Sequence, residues 1–136
     1  MPAHLDTHEA LIYAMVTMSA VDAKISDAEL ARIGQLAQSL PVFDGFDAGR
    51  LVAISQDCTL VLSGPEGLDI VLELIREGLP ARLADTAYAV CVEVASADLA
   101  IRGEEIRFLQ LLRDRLGLDK LTCAAIERSA MARFRR

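Results

Sequence analysis

Only two histidines occur among the 136 residues, His4 and His8, and both lie near the start of the chain. A Ser-His or Cys-His catalytic engine needs its base beside the nucleophile, and a pair at one terminus is poorly placed for that. Cysteine is almost as scarce. Cys58, Cys91 and Cys123 are odd in number and widely spaced, with no Cys-x-x-Cys pair and no histidine neighbourhood to complete a zinc set. Such usage fits a reducing, cytoplasmic setting. No phosphate loop, Gly-x-Ser-x-Gly elbow or dinucleotide fingerprint is present, and no Glu-x-x-His that would build a di-iron bundle. A non-enzymatic protein is therefore expected. Long apolar runs are missing too: none reaches the ~18 residues that span a bilayer, and residues 1–6 lack the basic and apolar blocks of a signal peptide. Neither export nor membrane insertion is expected.

Basic residues are outnumbered, 14 against 20 acidic, for a net charge of −6. That balance argues against nucleic-acid binding, which requires a basic surface. The average hides an asymmetry. From Arg102 onward nine basic residues face five acidic ones, a net of +4, which leaves −10 on the first 101 residues. A two-faced surface of this kind suits charged partners or cations. The expected partners are other proteins, a second copy of the chain among them.

With 53% hydrophobic residues, the chain is long enough to bury a core as a single domain over residues 1–136. Residues 11–20 and 87–97 are apolar almost all the way round, and their length and small side chains predict two central helices buried on most sides. Each is followed by a break and an amphipathic helix. Leu30, Ile33, Ala37 and Leu40 recur at helical spacing in the first, Ile106, Leu109, Leu112 and Leu116 in the second. One offset of 76 residues aligns Asp22 with Asp98, Ile25 with Ile101, Glu29 with Glu105, Leu36 with Leu112 and Leu40 with Leu116. Self-similarity at a single offset predicts two pseudo-symmetric helix-loop-helix hairpins, over about 7–40 and 83–117. Between them, Leu51, Ile54, Cys58 and Val61 mark a further helix ending near Gly64. Ser63, Pro65 and Glu66 then form an expected capping box for the next helix, with apolar face Leu68, Val71, Leu72, Ile75 and Leu79. Asp119 is the expected cap of the last helix. The fold class is all-α, with about seven helices.

The two hairpin loops read Asp22-Ala23-Lys24-Ile25-Ser26-Asp27-Ala28-Glu29 and Asp98-Leu99-Ala100-Ile101-Arg102-Gly103-Glu104-Glu105. An EF-hand is excluded, because its first and third ligand positions would be Met18 and Ala20 in one loop, Val94 and Ser96 in the other. Ser26-Asp27-Ala28-Glu29 is itself a capping box, which accounts for Glu29 without any ligand. Arg102 stands where Ser26 does, so Glu105 is less simply explained. Asp22 and Asp98 close their helices at the carboxyl end, where the helix dipole disfavours an anion by roughly 0.3–1 kcal/mol. A cation would compensate, as would the free amides of the following helix.

An Asp closing an alanine-rich apolar helix, an Ile shortly after and a Glu early in the next helix, given twice, resemble the TerB-like family of tellurite-resistance and stress proteins. The resemblance covers most of the chain. It implies an all-helical cytoplasmic module in which acidic residues hold a divalent metal, here Asp22, Glu29, Asp98 and Glu105. Calcium, magnesium, manganese or zinc is then the expected cofactor. Ala23 and Leu99 stand where the family usually has glycine. The alternative is a protein-protein interaction module whose acids only shape the loops. Two lesser candidates remain. His4 and His8, four apart and near Asp6 and Glu9, have metal-ligand spacing, although Asp6-Thr7-His8-Glu9 also reads as a helix start. Arg128, Arg133, Arg135 and Arg136 could contact an anion or a partner. Leu121, Ala125 and Ala132 fall on one side of the last helix and Cys123, Ile126, Ala130 and Phe134 on the other, which predicts a packed helix and argues against a membrane-surface one.

Overall fold

The computed structural model describes residues 4–21, 25–96 and 103–136. Among these residues there are seven α-helices and no strand. The helix α1 (Thr7–Ala20) starts on a capping box: the Glu9 amide donates to Asp6 Oδ1 at 2.8 Å and the Asp6 amide to Glu9 Oε1 at 3.0 Å. Residues 10–19 are all buried, because α1 is packed by α2, α3, α4, α5 and α6. Two of its three buried hydroxyls have partners, and that of Tyr13 has none among the described residues. Ser19 donates to the Met15 carbonyl and Thr17 lies 3.5 Å from the Cys58 sulfur. The second central helix, α5 (Ala84–Ala95), buries Ala87, Tyr88, Val90, Cys91, Val92, Val94 and Ala95 and packs on α1, α2, α6 and α7.

The amphipathic helices α2 (Asp27–Ser39) and α6 (Gly103–Leu116) start 76 residues apart, and their buried positions include three pairs at that offset: Glu29 and Glu105, Ile33 and Leu109, Leu36 and Leu112. Each of the two packs on both central helices. Ser26 caps α2 as expected, its hydroxyl accepting from the Glu29 amide at 3.0 Å. Leu30 and Ile106, both placed on the apolar faces by periodicity, are instead 51% and 48% exposed.

Two short 3₁₀ turns, Pro41–Phe43 and Ala48–Arg50, lead into α3 (Leu51–Ser63), which buries Ile54, Cys58 and Val61. The junction with α4 (Gly67–Gly78) corrects the sequence reading. Ser63 does not cap α4; it is the last residue of α3 and its hydroxyl donates back to the Leu60 carbonyl at 2.9 Å. Glu66 precedes α4 in the left-handed conformation, φ 55 and ψ 28, and makes no capping bond. The cause is the tightness of the reversal. A Cβ on Gly67 would stand 2.4 Å from the Val61 carbonyl oxygen and 2.5 Å from that of Leu62, so the chain must turn abruptly at Glu66 and its side chain is thrown outward.

The last helix, α7 (Lys120–Phe134), is capped by Asp119, which accepts from the Thr122 amide at 2.7 Å. Only one of its two apolar sides is packed. Cys123 and Ala130 are buried and Ile126 and Phe134 partly so, whereas Leu121 is 81% exposed and Ala125 and Ala132 face solvent. α7 rests on α5 alone among the central helices, which leaves its other side uncovered. No helix among the described residues is long and apolar enough to cross a membrane.

Candidate functional site

Of the four acids the sequence singles out, Glu29 and Glu105 are described, while Asp22 and Asp98 lie outside the described residues. Glu29 is the third residue of α2 and Glu105 the third of α6. Both are buried, at 1% and 2% exposure. A glutamate in the first turn of an amphipathic helix ordinarily points to water, and carboxylates are rarely buried without a partner. The capping box uses one oxygen of Glu29, with Oε1 accepting from the Ser26 amide at 3.0 Å. Its other oxygen, Oε2, is buried and accepts no hydrogen bond from any described residue. The capping role therefore explains the position of Glu29 and leaves half of its carboxylate unaccounted for. An inward-facing carboxylate oxygen with spare acceptor capacity is a fitting donor for a hard cation.

The histidine pair does not behave as a site. His8 Nε2 lies 2.8 Å from the Val42 carbonyl, which can only accept, so this nitrogen carries the proton and donates. The ring stacks on Phe43 at 5.5 Å and meets the edge of Phe46 at 5.4 Å. His8 thus pins α1 to the turn that follows α2. His4 is exposed, 3.9 Å from Glu77. Among the described residues no three His, Cys, Asp or Glu side chains gather closely enough to hold a metal ion. Of the four candidate arginines, Arg133 is engaged by Glu93 and Ser129 and lies 5.9 Å over the Phe134 ring. Arg128, Arg135 and Arg136 are exposed.

One arrangement had no signal in the sequence. The Tyr88 hydroxyl, on buried α5, donates to Glu127 Oε2 on α7. Burial first, and then the Glu127 carboxylate, push the Tyr88 phenol above its usual range, while Arg113 acts in the opposite sense. This trio lies at one end of an open groove of about 540 Å³ between α6 and α7. A tyrosine inside an apolar helix and a glutamate 39 residues later share no periodic relation, so only the packing of α7 on α5 brings them together.

No protein-family model, no curated protein and no solved structure matches this chain.

Proposed function

We propose that this chain is a TerB-like, non-enzymatic cytoplasmic protein whose acids Asp22, Glu29, Asp98 and Glu105 hold a divalent cation, in a tellurite or general stress response. The single observation that carries the reading is the buried Oε2 of Glu29, which no described residue satisfies. The burial of Glu105 at the same helical position, 76 residues on, supports it. An ionised carboxylate withdrawn from water costs several kcal/mol unless a positive charge answers it. A bound cation supplies that charge. Glu29 and Glu105 would hold it from the first turns of α2 and α6, together with Asp22 and Asp98, which lie outside the described residues. Calcium, magnesium, manganese and zinc are the ions to test.

The second reading, an interaction module with acidic and basic faces and no metal, is favoured by the groove beside α7. The two separate in a stability titration. On chelator-treated protein, the cation should raise the melting temperature with the logarithm of its concentration above Kd, on the order of 10 °C at a hundredfold excess. Glu29→Gln retains an oxygen to accept from Ser26 but loses the charge, and should abolish most of that rise; Asp98→Asn should do the same. A rise unchanged in both variants, or none with any of the four ions, leaves the interaction module as the function.

A further inference from the structure

Leu30 and Ile106 are matched by the 76-residue offset, and both are half exposed where Ile33, Ala37, Leu109 and Leu112 of their stripes are buried and Leu40 and Leu116 partly so. Each lines a groove. Leu30 borders one between α2 and α3, and Ile106 the one between α6 and α7. In both cases the helices on either side pack on a central helix and barely touch each other. The α2/α3 groove is bordered by Leu51, Val52, Ser55, Gln56, Thr59 and Leu60 without a charged residue, and nothing indicates what would cover it. The α6/α7 groove differs in its rim.

Its floor is α5, presenting Tyr88, Val92 and Ser96 one turn apart, a length of about 12 Å. Along the walls Ile106 and Leu109 of α6 face Ala130, Met131 and Phe134 of α7. Guanidinium groups mark it towards both ends: Arg113 beside Tyr88, and Arg135 next to Phe134. Arg32 of α2 adds a third, 5.5 Å over the Phe134 ring. The one acidic group, Glu127, already accepts the Tyr88 proton donor. An apolar trough two helical turns long with cationic ends is complementary to one face of an amphipathic helix.

We propose that the α6/α7 groove docks an acidic amphipathic helix of a partner protein, with apolar residues at i, i+3 or i+4 and i+7 set over Val92, Leu109 and Met131 and carboxylates meeting Arg113 and Arg135. The site is independent of the cation site, since it uses neither of the buried glutamates. Charge decides the class of partner: the groove is lined by Arg113 and Arg135 against Glu127, with Arg32 over Phe134, so a helix flanked by Asp and Glu is attracted and a basic one is repelled.

The test uses the full chain and two fluorescein-labelled helical peptides of about 16 residues, sharing one Leu stripe and flanked by Glu or by Lys. Fluorescence anisotropy should show the Glu peptide binding at least about tenfold tighter, with the advantage shrinking as salt rises. Ile106→Asp and Met131→Asp, both at exposed positions and verified as folded by circular dichroism, should each weaken it about tenfold or more. Leu30→Asp, the matched position in the other groove, should leave it unchanged. Equal binding of the two peptides, no binding of either, or indifference to Ile106→Asp would overturn the proposal. So would sedimentation showing a dimer that Ile106→Asp dissociates, which would give the groove to a second copy of the chain.

Discussion

Where α1 meets α3, the Thr17 hydroxyl, the Cys58 thiol and the Tyr13 carbonyl make one small polar contact inside an apolar core, with Cys58 Sγ 3.5 Å from Thr17 Oγ1 and 3.8 Å from the Tyr13 oxygen. Burial pushes the Cys58 thiol from its usual 9.0 up to about 12, and the Tyr13 phenol from 10.0 up to about 12. Both groups thus keep their protons in the folded protein at pH values where the unfolded chain gives them up. Their contribution to stability is complete below about pH 8 and is lost as pH rises from about 9 towards 12. Calorimetry across pH 7 to 11 should show the melting temperature falling over the upper part of that range; a flat profile would contradict these assignments. Cys58, Cys91 and Cys123 are all buried, and burial raises each thiol's pKa. Iodoacetamide should therefore label none of them within minutes at neutral pH and all three after denaturation. The burial of Cys91 is legible in its apolar helix. The burial of Cys123 is not, because α7 shows two apolar sides in sequence and only packing on α5 selects one.

Among the elements, the α3–α4 junction shows why a good local signal failed. Ser63, Pro65 and Glu66 have the composition of a capping box, yet the close approach of Gly67 to the Val61 and Leu62 carbonyls leaves no room for that geometry. Two substitutions at neighbouring positions should act in opposite directions. Gly67→Ala forces a Cβ into backbone oxygens and should cost about 1–3 kcal/mol. Glu66→Gly removes the left-handed penalty and should gain about 0.5–1 kcal/mol. Urea denaturation of both variants checks the pair, and destabilisation by Glu66→Gly would refute the strained turn. By contrast, the starts of α1, α2 and α7 were legible residue by residue, since Asp6, Ser26 and Asp119 each make the bond that their sequence context predicts. The exposure of Leu30 and Ile106 was illegible for a different reason: periodicity reports which face a residue shares, but not how far the covering helix extends over it.

On the scale of the whole molecule, the two helices predicted to be central pack on each other and between them on α2, α3, α4, α6 and α7, and the all-helical class follows from their length and from the 3.6-residue stripes beside them. The candidate site was only half legible from sequence. The 76-residue offset located Glu29 and Glu105, and the structure adds that both are buried and that one oxygen of Glu29 lacks a described partner. Burial of this kind has no signature in a first-turn glutamate, because the same residue serves an exposed capping box equally well. The role proposed for these carboxylates is to hold a cation. Isothermal titration calorimetry of chelator-treated protein with calcium, magnesium, manganese and zinc tests it directly. Saturable binding of at least one ion to the wild-type chain is expected, and loss of that binding in Glu29→Gln, whose helix cap is preserved. No heat of binding with any of the four, or an isotherm that Glu29→Gln leaves unchanged, would contradict it.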